Sequence, residues 1–306
     1  MSGSVLFDAP GPKARRLSII LSIVVGLLLL GGLYFLYSIL AAPRTAAGGL
    51  TLPGMFDPSR WNIFIDPQVW TFIGSGVMGT LRAAGAAAVL ALVIGVVFSL
   101  LRTAKTSWIR IPTTVALEFI RGMPVLLMML FILLAFSSGS YLAVVLALGL
   151  YNGAIIGEAL RAGLASLPRG QREAGLSLGM RELQSKMLIE FPQAFRQMLP
   201  IIVAQLVVLL KDTSLGFIVG YFELLRSTMN NLASFYGSRY LFSLFAVTFV
   251  IYLLMNLSLS WVARWLSRRT DSARRGGVAG TDVPVDPGLA IAQASAAARQ
   301  QGEGGV

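Results

Sequence analysis

The side chains able to bind or react fall into two groups. The first is a polar run, Glu158 to Pro192, reading EALRAGLASLPRGQREAGLSLGMRELQSKMLIEFP between two long apolar segments. The second is a set of charges isolated inside apolar segments: Arg82, the pair Glu118 and Arg121, and Lys211 with Asp212, followed by Thr213 and Ser214. The chain has no cysteine and no histidine. Thiolate nucleophiles, disulfides, imidazole acid–base catalysis and thiolate or imidazole metal sites are therefore excluded, and no metal site is expected. The remaining chemistry is recognition. The polar run can dock a partner from water, and the embedded charges can brace helices or attract a charged solute.

These residues sit in a membrane protein. Apolar residues make up 56% of the 306 and charged residues only 13%, about half the usual charged share, and the mean hydropathy is +0.74. The net charge of +11 does not point to nucleic acid, because the basic residues lie at the ends of apolar spans, where cytoplasmic loops concentrate them. A spanning helix needs about 20 apolar residues. Six segments meet that length, giving an all-α membrane protein of six transmembrane helices. After a cytoplasmic N-terminus at 1–16, the first span is expected at 17–40, with Lys13, Arg15 and Arg16 holding its start inside. An external loop follows at 41–68, with balanced charge and with Trp61 and Trp70 at interfacial depth. A transmembrane domain covers 69–266, with spans at 69–101, 113–136, 141–157, 197–222 and 240–266. Its Gly/Ala-rich first span reads as a packing helix. Residues 223–238 read as an external amphipathic segment, and 267–306 as a disordered cytoplasmic tail too poor in large apolar groups to bury a core. Both termini then lie in the cytoplasm.

Within the polar run, Pro168 ends the helix leaving the fourth span, and Gln171 to Leu178 are good helix formers. Gly179 stops that helix, and Arg181 to Glu190 form a second one. Pro192 is expected to separate it from the next span, since the residue before a proline is pushed out of helical geometry. The object predicted is a short helix–turn–helix on the cytoplasmic face, tied at both ends to spanning helices.

The spacing Glu173-Ala174-Gly175, three residues, Gly179, nine residues, Ile189-Glu190-Phe191-Pro192 resembles the EAA loop of binding-protein-dependent ABC importer permeases. It departs from that pattern at Gly175, where the family has alanine, and at Phe191, where it has leucine. Further stretches resemble the polar-amino-acid branch, the histidine/glutamine/glutamate type. They are Gly79-Thr80-Leu81, Arg121-Gly122-Met123-Pro124 (with Met123 where the branch has threonine), Gly157-Glu158, Arg161-Ala162-Gly163, Pro168-Arg169-Gly170-Gln171, Phe191 to Arg196 and Leu210 to Leu215. The extra first span and the opening Val5 to Pro12 look like actinobacterial glutamate permeases. The resemblance implies a five-helix type I importer core plus one N-terminal helix. It also implies pairing with a second permease as homo- or heterodimer, two cytosolic ATPase subunits, and an extracytoplasmic solute-binding protein. ATP and magnesium would sit on the ATPase, with no cofactor on this chain. The ATPase-coupling residues would be Gly170, Gln171, Glu173, Ala174, Gly175, Leu178 and Gly179.

The embedded charges are less decided. Glu118 and Arg121, three apart on a helix, suit a structural ion pair. Arg82 either attracts an acidic substrate or braces the bundle. Lys211 and Asp212 project about 100° apart, so they reach different partners, lining or bracing a pathway that Thr213 and Ser214 extend. The chain has no G-x-x-x-x-G-K-[ST] loop, so ATP hydrolysis is expected elsewhere and the chain is not itself an enzyme. The expected function is the membrane permease of an ATP-driven importer for glutamate or another polar amino acid. The competing reading is a stand-alone secondary transporter or channel, which an inverted repeat with broken helices would favour. The resemblance implies a bacterial plasma-membrane location.

Overall fold

The structure is a computed structural model that describes residues 11–45 and 51–275. It is almost entirely helical: α1 Pro12–Ala41, α2 Pro67–Arg102, α3 Ser107–Gly122, α4 Val125–Ala135, α5 Ser140–Ala165, α6 Arg169–Ser177, α7 Glu182–Ser185, α8 Phe191–Asp212, α9 Leu224–Arg226, α10 Ala233–Tyr236 and α11 Leu241–Arg275. Among the described residues, five helical segments are long and apolar enough to cross a membrane, and α3 with α4 makes a sixth if the pair is one span. The tail expected from 267 remains helical to Arg275 as the end of α11, and residues 276–306 lie outside the described residues.

The helix expected over 113–136 is not continuous: it divides into α3 and α4, which meet at 104°. The cause is Pro124. Met123 before it is extended at φ −86°, ψ 129°, because the proline ring crowds the preceding residue out of helical geometry. Pro192 behaves in the opposite way. Phe191 before it stays helical at φ −62°, ψ −45°. The turn ahead of it, Lys186–Glu190, is widened to π geometry, which leaves room for a residue with no N–H to give. Residues 182–217 therefore run as one helical segment of 36 residues, and the expected boundary at Pro192 does not exist.

The chain divides into two compact units. The first takes in described residues up to 89, 124–148 and 210–254; the second takes in 90–123, 149–209 and 255 onward. In the first, the loop after α1 is pinned down. Buried Arg60 donates to the carbonyls of Pro53 and Arg239, and Tyr240 donates to Asn62. Trp61 and Trp70 give their indole N–H to the carbonyls of Met55 and Phe64. The segment expected as external amphipathic surface over 223–238 instead packs against the middle of α2. A Cβ on Gly79 would lie 2.3 Å from the carbonyl of Phe222, so only glycine permits this approach. Gly79 is twelve residues into α2, about 18 Å along it. The segment is therefore re-entrant, folding back into the apolar layer. In the second unit, Gly149, Gly153 and Gly157 of α5 face Leu90, Ile94 and Phe98 of α2. This is the close small-residue packing seen between membrane helices.

Candidate functional site

Residues 158–192 hold the densest set of polar side chains, all within the second unit. α6 ends in a Schellman motif. The N–H of Met180 reaches the carbonyl of Gly175 at 3.2 Å, and that of Gly179 reaches Leu176 at 3.0 Å. Gly179 makes this turn possible at φ +80°, and its Cβ position faces open space. Across the turn Arg172 pairs with Glu182 at 2.7 Å, and the Arg181 N–H donates to Gln184 at 2.9 Å. Buried Gly175 lies against α7, where a Cβ would stand 2.7 Å from the Ser185 hydroxyl and 3.0 Å from Ile189. Those two side chains fill the space that an alanine would take, which accounts for glycine here. On the other side of α6, Gly170, Glu173 and Ala174 are exposed, and Leu178 just beyond is 83% exposed. Gln171 is half-buried, and its side-chain oxygen has no hydrogen-bond partner. The sequence-predicted residues thus separate into an open face, an inner packing contact at Gly175, and the turn at Gly179.

A second cluster joins this loop to the corner between α2 and α3. Glu182 takes Lys105 at 2.5 Å as well as Arg172. Lys186 donates to the carbonyl of Thr103 at 3.0 Å. A cavity of about 350 Å³ lies between them, walled by Leu100, Thr103, Leu183, Lys186 and Glu190. One carboxylate oxygen of Glu190 is buried without a hydrogen-bond partner. Nearby, Glu158 pairs with Arg102 and, at 2.7 Å, with Arg161. Sequence reasoning missed Thr103, Lys105, Glu182 and Lys186 as a group. Its local signal is the four-residue spacing of Glu182, Lys186 and Glu190; the contact from Lys186 to Thr103 spans 83 positions.

Residues 91–272 match the family described as binding-protein-dependent transport system inner membrane component. The chain belongs to that family. This inner membrane component is 38% identical, over 77% of its length and 89% of the relative's, to the glutamate transport system permease protein GluD of Corynebacterium glutamicum. It is 34% identical, over 65% of its length and 93% of the relative's, to a probable glutamine ABC transporter permease protein of Bacillus subtilis. Among solved structures it resembles an amino acid ABC transporter crystallised with histidines. That match has a TM-score of 0.60 and 26% identity, and covers 66% of this chain and 95% of the other.

The embedded charges of this membrane component are not drawn into one constellation. Glu118 and Arg121 form an ion pair at 3.4 Å, both partly exposed, and Glu118 lies 3.9 Å from Arg102. Arg82 is exposed on α2, with no ion pair among the described residues. Lys211 is exposed and Asp212 half-buried. They close α8, where the 182–217 helical segment passes into the tighter turn that begins at Thr213. Twenty residues, about 30 Å, separate Lys211 from Phe191. Thr213 and Ser214 turn their hydroxyls back onto the carbonyls of Leu210 and Lys211.

Proposed function

We propose that this inner membrane component is the permease subunit of an ATP-driven importer of polar amino acids, with glutamate the first substrate to test. One observation carries the coupling part of the reading. The residues that resemble the EAA pattern form a short helix with an exposed face at Glu173, Ala174 and Leu178, and its inner side is locked onto a long spanning helix. α6 would seat in a groove of a cytosolic ATPase that holds ATP and magnesium. The Schellman turn and the Arg172–Glu182 pair pass any displacement of α6 to α7. No break separates α7 from α8, so the 36-residue segment, about 54 Å long, moves as a lever. Stiff elements with two positions convert local events into rigid-body motion. The assembly would contain a second permease subunit, two ATPase subunits and an extracytoplasmic solute-binding protein, with both termini of this chain in the cytoplasm. The substrate class rests on the relatives' names and on Arg82, whose exposed guanidinium suits a carboxylate.

Uptake into proteoliposomes with the cognate ATPase and binding protein tests this. Gly179→Asp is expected to abolish ATPase association and ATP-dependent uptake. Undiminished uptake in that variant would remove the coupling role, and uptake without any ATPase would establish a secondary transporter. Failure of glutamate and aspartate to stimulate hydrolysis, with another amino acid succeeding, would reassign the substrate.

A further inference from the structure

α2 ends at Arg102, and the last carbonyls of a helix have no partner within it. That end also carries the negative pole of the helix dipole, which favours a cation. Here the cation comes from a distant part of the chain. Lys186 donates its ammonium to the carbonyl of Thr103, one residue past α2, at 3.0 Å. Lys186 opens the wide turn at the foot of α8 and is half-buried. Its neighbour one turn back, Glu182, holds Lys105 of the same corner at 2.5 Å and Arg172 of α6 at 2.7 Å. The loop thus grips the inner end of α2 at two points, across a cavity of about 350 Å³. That space is a cleft partly open to the surface, so these polar contacts, and not a packed filling, tie the two elements across it. Such wide turns recur at functional sites in helices.

We propose that Lys186, assisted by Glu182, is a positioning residue that carries movement of the coupling loop into α2 as well as α8. This rests on the reading of α6 as the ATPase-docking helix. The loop would then drive two spanning helices, one covalently and one through a charged cap. Glu190 supplies the way to release that cap. Its unpartnered carboxylate oxygen lies one turn from Lys186 on the same cavity wall, so the ammonium has a second acceptor to move to.

The experiment reconstitutes the full complex and measures three quantities for each variant: ATPase association, ATP hydrolysis, and amino acid taken up per ATP. Lys186→Met keeps the apolar stem and removes the donor. It is expected to associate normally, to hydrolyse ATP, and to lose about tenfold in uptake per ATP, within the 5–150-fold range of coupling between sites. Lys186→Arg restores the charged donor and is expected to recover to within about threefold of wild type. Glu182→Gln alters only a partly exposed side chain and is expected to lower the ratio about threefold. An unchanged ratio in Lys186→Met, or a fall that matches its loss of association, overturns the proposal, as does an arginine variant no better than methionine. If Lys186→Met fails to assemble, Glu182→Gln decides, and an unchanged ratio there also overturns it. Gly179→Asp in the same assay separates the two readings. Retained association in that variant removes the docking role itself, whereas lost association beside a normal Lys186→Met ratio removes only this inference.

Discussion

The loop over 158–192 and the re-entrant segment over 218–240 each hang a short helix between two spanning helices, and they are bonded in opposite ways. In the re-entrant segment the polar groups meet partners at close range. Fully buried Glu223 accepts the N–H groups of Leu225 and Arg226, both at 2.7 Å, and the Tyr252 hydroxyl at 2.6 Å. The N–H of Leu224 donates to Thr80, Tyr221 donates to the carbonyl of Gly79, and Thr248 donates to Thr228. In the polar loop, Gln171, Ser185 and Glu190 each bury an oxygen without a partner, and one half-buried carboxylate is shared by two cations. A satisfied buried network rigidifies, while a partly satisfied one leaves alternatives of similar energy. The contrast assigns the fixed part of the structure to the re-entrant segment and the movable part to the loop.

The largest test of that contrast is Glu223→Leu. It strands two buried N–H donors and a tyrosine hydroxyl, each worth about 1–3 kcal/mol, although bonds in membrane proteins average less. A loss of about 3 kcal/mol is expected in thermal unfolding in detergent. Glu182→Gln, in the exposed loop, is expected to cost under about 1 kcal/mol. Equal costs for the two variants would break the comparison.

Next in size is the turn of the loop. Gly179 holds φ +80° with open space at its Cβ position, so alanine there is charged only for the backbone, about 1–2 kcal/mol. Gly170 also faces open space but has an ordinary helical backbone, and alanine there is expected to be neutral or to stabilise by up to about 1 kcal/mol. ATPase association should fall much further for Gly179→Ala than for Gly170→Ala, which adds only a methyl group to the docking face. Equal effects would mean that substitution, and not the turn, is what the partner senses.

The two regions also differ in what their residues disclosed before the fold was known. The loop was legible because its signals are local: a polar run between apolar spans, a glycine at a helix end, and a matched spacing from Glu173 to Pro192. The re-entrant segment was not, because the contacts of Tyr221 and Leu224 that fold it back reach a distant part of the chain. Thr80 and Gly79 lie more than 140 positions away, and an acidic residue between apolar stretches reads as external surface. Pro124 and Pro192 looked alike in the sequence and act differently, since one breaks a helix and the other is absorbed by a wide turn five residues long. Proline removes a donor in both places; whether the helix bends or widens depends on packing around it.

A smaller effect sharpens the account of the loop's inner side. Gly175→Ala brings a Cβ to 2.7 Å from the Ser185 hydroxyl, and overpacking of this kind costs about 1 kcal/mol or more. Ser185→Ala alone removes a buried oxygen that has no partner, so it is expected to be neutral or slightly stabilising. Combining the two should cost less than the sum, with a coupling of about 0.5 kcal/mol or more between contacting residues. Strict additivity in thermal unfolding would show that the loop yields at this contact.

The smallest effect lies where the re-entrant segment returns to the loop before α2. Tyr236 donates to Asp66 at 2.7 Å, and the N–H of Gln68 donates to the same carboxyl at 2.9 Å. The Tyr236 hydroxyl, and after it the Gln68 N–H, hold the Asp66 carboxyl below its ordinary value of 3.8. A carboxyl depressed in the folded state adds stability that is present above its unfolded pKa and is lost as pH falls through the folded one. The melting temperature of wild type should therefore exceed that of Tyr236→Phe by a constant amount above about pH 5. The gap should close as the pH falls below the ordinary carboxyl value. A gap that persists in acid would assign the tyrosine's contribution to ring packing, and would leave the re-entrant segment anchored at Glu223 without this tie.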